Sequence, residues 1–131
     1  MPIRWDEAAM STGLSDIDGQ HQAWIRQINE FDQAASNGMG IDDIFNTLGF
    51  LVQYTDLHFS REEDRMLACG CSALAENRRA HDRFRLRLDE LPFWLKEEQP
   101  TFTEIVALKQ ELETWVTNHI CTIDIKLRVC Q

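Results

Sequence analysis

The stretch His58-Phe59-Ser60-Arg61-Glu62-Glu63-Asp64-Arg65-Met66 places a histidine and a carboxylate four positions apart in a segment that reads as helix. On an α-helix, positions i and i+4 share one face. His58 and Glu62 therefore point the same way and could hold one metal ion, or two neighbouring ones. Alone, such a pair on an acidic helix reads more readily as solvated surface. The metal reading needs similar residues on other helices that can meet this pair.

The helix carrying the pair spans roughly 41–68. Ile44, Leu48, Leu51, Val52 and Thr55 lead along one face to His58, Glu62 and Met66, so that face changes from apolar to coordinating. Cys69-Gly70-Cys71-Ser72 ends it, with Ser72 as a cap for the next helix. Upstream, an extended arm reaches to about Gly19, packed on the body by Trp5 and Leu14. Asp16 or Asp18 can cap the helix that follows. That helix runs to about Ser36, with Ile17, His21, Trp24, Ile25, Ile28, Phe31 and Ala35 on its stripe, and breaks at Asn37-Gly38-Met39-Gly40. Downstream, residues 73–96 carry Leu74, Asn77, His81, Phe84, Leu88, Leu91 and Leu95 inward, and Pro92 should kink or end that helix. Thr101-Phe102-Thr103-Glu104 has the form of a capping box. The last helix presents Ile105, Leu108, Leu112, Trp115, Val116, His119, Ile123 and Leu127, with Asp124 at the margin. Four long helices with short connections predict an all-α, antiparallel, up-down-up-down four-helix bundle with an N-terminal extended arm.

Composition bounds the function. The chain of 131 residues suits one domain spanning 1–131, and 44% hydrophobic residues suit a globular fold. A formal net charge of -9 argues against nucleic acid and against an anionic membrane surface, both of which call for basic patches. The start, Met1-Pro2-Ile3-Arg4-Trp5, lacks a secretory h-region, and no apolar run approaches a membrane span. A cytoplasmic location follows as an expectation. Cys69, Cys71, Cys121 and Cys130 have no zinc or redox spacing and read as reduced thiols, with a disulfide through Cys130 the less favoured alternative.

Each long helix carries one histidine on its inward stripe, and up-down topology decides whether the four meet. His21 lies near the start of its helix, His58 near the end of the next, Asn77 and His81 near the start of the third, and His119 and Asp124 near the end of the fourth. All fall at one end of the bundle. Singly, each histidine reads best as an ordinary buried imidazole. Together with Glu62 and Asp124 that reading fails, because an uncompensated buried carboxylate costs several kcal/mol. Imidazole and carboxylate in a bundle core suit iron, manganese or zinc. Four histidines and two carboxylates exceed one tetrahedral zinc and suit two octahedral ions bridged by the carboxylates.

These residues resemble the hemerythrin family, especially its bacterial members. Ile17-Asp18-Gly19-Gln20-His21 with Asn29, His58-Phe59 with Glu62-Glu63 and Met66, Leu74-Ala75-Glu76 with His81 and Phe84, and Trp115 with His119-Ile120, Asp124 and Leu127 look like the family's four helix motifs in order. Trp5-Asp6 looks like the start of the domain. The resemblance implies two iron ions in a non-haem, oxo- or hydroxo-bridged centre. One iron would take His21 and His58, the other positions 77, 81 and 119, with Glu62 and Asp124 bridging. Dioxygen and small anions such as azide or chloride would be the exogenous ligands.

Position 77 departs from the family pattern, because Asn stands where a histidine is expected. A neutral amide is a poorer ligand for iron than imidazole, so Asn77 is expected to hydrogen-bond a water or anion near that coordination position rather than to ligate. Each iron then keeps two firm histidines, which weakens reversible dioxygen storage. The leading expectation is an oxygen or redox sensor regulating a fused output domain, such as a diguanylate cyclase or chemoreceptor. The end at Arg128-Val129-Cys130-Gln131, soon after the last ligand, is consistent with a domain from a longer protein. A stand-alone oxygen carrier is the alternative, and a di-iron oxidase or peroxidase ranks third. No catalytic residue is assigned. Trp24, Phe84 and Trp115 read as packing around the metal layer; Tyr54, one turn before His58, reads as packing too, with a hydrogen bond near the site as the less favoured alternative. Cys121 reads as a non-ligand, Glu63 and Asp64 as surface charges, and Arg78, Arg79 and Arg83 as a solvated face.

Overall fold

The computed structural model describes residues 2–38 and 40–129. The arm holds one turn of helix, α1 (Glu7–Met10), capped by the Asp6 carboxylate, which accepts from the backbone of Ala8 and Ala9. The long helices are α2 (Ser15–Ser36), α3 (Ile41–Ala68), α4 (Leu74–Phe93) and α5 (Phe102–Thr122). Their apolar stripes close on one another as an antiparallel four-helix bundle, as the 3.6-residue period predicts.

The ends of the helices have identifiable causes. α3 stops in a Schellman arrangement: Gly70 adopts φ 67, its N–H bonds the Leu67 carbonyl, and Cys71 N–H bonds the Met66 carbonyl at 2.9 Å. Pro92 has no N–H to give, and α4 gives way after Phe93 to a wide π-turn, Trp94–Glu98. α5 opens with the expected capping box, Glu104 N–H to Thr101 Oγ1 at 3.2 Å and Thr101 N–H to Glu104 Oε1 at 3.1 Å. It closes at Thr122, and a 3-10 segment, Asp124–Val129, continues the chain.

Several local expectations need correction. α2 begins earlier than expected, and neither Asp16 nor Asp18 is its N-cap. Asp18 instead accepts from Ser11 Oγ at 2.6 Å and from Thr12 N–H at 2.7 Å, which fastens the arm to the bundle. Ser72 does not cap α4, whose N-cap is Ala73. Cys71 is disulfide-bonded rather than a reduced thiol, whereas Cys69 and Cys121 are free. The reading of Cys130 lies outside the described residues.

The arm is held by a two-way contact, Ile3 N–H to Asn29 Oδ1 and Asn29 Nδ2 to the Ile3 carbonyl, both 2.9 Å. Trp5 and Leu14 pack against the body as expected. One end of the bundle is apolar, around Phe31, Leu48, Leu51, Leu91, Leu95 and Leu108. A layer of Trp24, Phe59, Phe84 and Trp115 follows, with Phe84 and Trp115 stacked at 3.9 Å. Beyond this floor lie the polar residues. Among the described residues, no helix is long and apolar enough to cross a membrane.

Candidate metal centre

His21, His58, Glu62, Asn77, His81 and Asp124 are sealed from solvent, and His119 is 4% exposed. Two four-residue groups emerge, His21/His58/Glu62/Asp124 and Glu62/His81/His119/Asp124, each with its donor atoms within 4.8 Å of one another. With bonds near ~2.1 Å, opposite donors on one ion lie about 4 Å apart, so each group has the right span for one ion. Glu62 and Asp124 belong to both groups. Only residues common to both can bridge two ions.

The imidazoles turn their Nε2 atoms inward. His21 Nε2 lies 2.8 Å from Glu62 Oε2 and 3.1 Å from Asp124 Oδ2. His58 Nε2 lies 3.3 Å from Glu62 Oε2, and His119 Nε2 lies 3.0 Å from Asp124 Oδ1. His81 Nε2 lies 3.2 Å from Glu62 Oε1 and 3.1 Å from His119 Nε2. For His58 and His81 the outer nitrogens explain this orientation, whereas His21 Nδ1 is buried without a partner. His58 Nδ1 meets Gln20 Oε1 at 3.0 Å, and His81 Nδ1 meets Glu63 Oε2 at 2.8 Å. An acceptor behind Nδ1 holds the proton there and leaves the Nε2 lone pair facing the centre.

That arrangement suits cations. Both Asp124 oxygens and His58 Nε2 are buried without a well-formed hydrogen bond, although imidazole or carboxylate atoms stand 3.0–3.3 Å away. A lone pair facing a carboxylate is repulsive unless a positive charge sits between them. The titration behaviour agrees. Burial opposes a charged His21, yet the facing carboxylates of Asp124 and Glu62 raise its pKa from 6.5 to about 10. Burial likewise opposes charge on His119, and Asp124 pulls its pKa upward. Burial pushes His58 down, with Glu62 opposing. Burial favours a neutral Glu62, but the facing imidazoles of His21 and His58 hold it well below the usual carboxylate range. The carboxylates draw protons where a metal ion would otherwise balance them.

A family profile described as "Hemerythrin HHE cation binding domain" matches residues 12–127. The chain belongs to the hemerythrin family. It is 29% identical over 111 residues to a bacteriohemerythrin of Pseudomonas aeruginosa, a match covering 85% of this chain and 70% of that one. It is 26% identical over 127 residues to a myohemerythrin of Riftia pachyptila, covering 97% and 92%. A crystal structure of wild-type hemerythrin superposes with a TM-score of 0.89 at 22% identity, covering 99% and 98% of the two chains, which supports the fold. Hemerythrins are dioxygen-binding domains with a non-haem di-iron centre, and the buried histidines and carboxylates of this chain fit such a centre.

The fold brings together all six residues singled out from the sequence of this hemerythrin, and it brings Asn77 with them. Asn77 is committed through its nitrogen. Its Nδ2 donates to Glu62 Oε1 at 2.7 Å and to Met66 Sδ at 3.3 Å, while Oδ1 is buried without a partner. Carboxylate and thioether are both acceptors, so the amide cannot be reversed. Glu63, read from sequence as a surface charge, is instead the hydrogen-bond partner of His81. Its side chain is 15% exposed, and Arg78 of the supposedly solvated face lies 3.4 Å from it. Two sequence signals could have marked it: position 63 sits one residue beside the stripe, and Glu63 belongs to the Glu62-Glu63 motif that resembles the family. Tyr54 donates to the Gln20 carbonyl at 3.1 Å and so braces the residue behind His58. An open cleft of about 590 Å³ between α4 and α5 has Trp115 and His119 in its wall, giving small molecules an approach to this end of the bundle.

Proposed function

We propose that His21 and His58 hold one iron, that His81 and His119 hold the other, and that Glu62 and Asp124 bridge them. We further propose that the chain acts as an oxygen or redox sensor regulating a fused output domain, rather than as an oxygen store. When bound, the di-iron centre supplies electrons for the reaction with dioxygen. The residues orient the ions, exclude bulk water and tune access to them.

The observation carrying the sensor reading is Asn77. Its nitrogen is committed to Glu62 and Met66, and its oxygen remains as a buried acceptor. An acceptor there favours a protic solvent ligand over a bare anion. With two imidazoles at each position, solvent can compete on both sides of the pair. Solvent access of that kind would favour oxidation of the centre over reversible binding of dioxygen. Asp124 offers a path outward, since it opens the 3-10 segment whose Arg128 donates to the carbonyls of Ala8 and Ser11 in the arm. A change at Asp124 would shift both the segment and the arm.

The test is to reduce the iron-loaded protein without oxygen, admit air and follow its absorption by stopped flow. Rapid passage to the diferric spectrum supports the sensor reading, and a long-lived oxygenated spectrum would establish the carrier instead. Asn77→His should lengthen the oxygenated lifetime by about tenfold or more, in line with the usual weight of one metal-site contact. Whether the reading frame continues past Gln131 into an output domain tests the regulatory half.

A further inference from the structure

The two imidazoles on the α3–α4 side of the centre differ in what stands behind them. His58 has the neutral amide of Gln20 behind Nδ1, at 3.0 Å. His81 has the carboxylate of Glu63, at 2.8 Å. The carboxylate therefore backs the group that contains Asn77's side of the centre. A carboxylate behind an imidazole raises the basicity of its inward nitrogen, and an amide does so less.

Glu63 is held firmly enough for that task. Arg85 Nη1 lies 3.3 Å from Oε2 and Arg78 Nε lies 3.4 Å from Oε1. Two guanidiniums could cancel its influence on His81. Arg85, however, also pairs with Asp56 at 3.0 Å and Asp82 at 3.1 Å. Three carboxylates thus face two guanidiniums, and the cluster behind His81 stays net negative. The ring itself is clamped, stacked on Phe59 with centroids 3.7 Å apart and planes 4° from parallel. Stacking fixes the plane of the His81 ring, and the contact with Glu63 selects which way round it sits and which nitrogen carries the proton.

We propose that Glu63 is a positioning residue that locks His81 with its proton on Nδ1 and strengthens Nε2 as a metal donor, offsetting the imidazole that Asn77 does not supply. This rests on the assignment of the di-iron ligands above. The competing role is mechanical, with Glu63 serving only as an α3–α4 staple through Arg85.

Three variants separate the two roles. Glu63→Ala removes both the acceptor and the charge. Glu63→Gln keeps an oxygen for the Nδ1–H but loses the charge. Arg85→Gln breaks the staple and leaves Glu63 on His81. Chelator competition on the iron-loaded protein should show Glu63→Ala binding one of its two irons about 10–100-fold more weakly. Glu63→Gln should retain both irons with a more positive reduction potential. Arg85→Gln should lower thermal stability while keeping parental iron content and potential. In the iron-free protein, imidazole nitrogen shifts by NMR should report Nδ1–H for His81 in the parent and in Glu63→Gln, and lose that preference in Glu63→Ala. Parental affinity and potential in Glu63→Ala would overturn the proposal. So would reproduction of the Glu63→Ala losses by Arg85→Gln. A parent protein that takes up no iron pair would bring down the ligand assignment itself, and the NMR result would still separate that failure from a failed tautomer lock.

Discussion

Removing the iron should convert a stable bundle into a marginal one, and the structure sets the scale. Two donor groups share Glu62 and Asp124, so the folded chain offers two ion sites and no preformed site exists in the unfolded one. At free iron 100-fold above the dissociation constant, each ion contributes about 2.7 kcal/mol, or about 5 kcal/mol for the pair. For 131 residues at roughly 2.1 cal/mol/K per residue, 1 kcal/mol moves Tm by about 3–4 °C. Chelation should therefore lower Tm by about 15–20 °C. The iron-free protein should also depend on pH in a defined direction. His21 has a folded pKa of about 10 against an ordinary 6.5. A raised pKa contributes stability that is fully present below 6.5 and lost as pH rises through 10. His119, also raised, acts in the same sense. The iron-free Tm should fall between pH 6.5 and 10, whereas the iron-loaded form, whose imidazoles are already deprotonated, should not follow it. Calorimetry of both forms across that range is the assay. Equal Tm values with and without iron, or an iron-free Tm that rises with pH there, would refute the reasoning.

Two further outcomes concern the scaffold. Thr55→Val should cost about 1–3 kcal/mol in urea unfolding, because the buried Trp24 Nε1–H, now 2.9 Å from Thr55 Oγ1, loses its acceptor. Adding Trp24→Phe should recover part of the hydrogen-bond loss, and strict additivity of the two would argue against the bond. Lys109→Met should destabilise by about 3–5 kcal/mol at pH 7, since Lys109 Nζ lies 2.8 Å from the nearly buried Asp32. Burial works against a charged Asp32, and Lys109 holds its pKa down, while burial and Asp32 together push Glu113 up. Without the lysine, Asp32 can regain neutrality by protonation, so the deficit should shrink at pH 5. An equal deficit at both pH values would mean the ion pair is not the cause.

The amino-acid pattern by itself determined four helices, their alternation in direction and the layer in which His21, His58, Glu62, His81, His119 and Asp124 meet. Those features follow from a 3.6-residue period and short connections, both local properties of the chain. Helix ends were less legible. Asp18 carries every sign of an N-cap, yet Ser11 and Thr12 outbid the helix for its oxygens. Only the tertiary structure decided what stands behind each imidazole. Glu63 lies one position off the stripe, and a 100° step per residue leaves its direction open until α4 packs against α3 and brings His81 and Arg85 within reach. The amide of Asn77 had two possible orientations in the sequence. Glu62 and Met66, both acceptors and both supplied by another helix, left it one. Residue type and period select which side chains enter the core. Their hydrogen-bond direction depends on partners distant in sequence, and only packing supplies those.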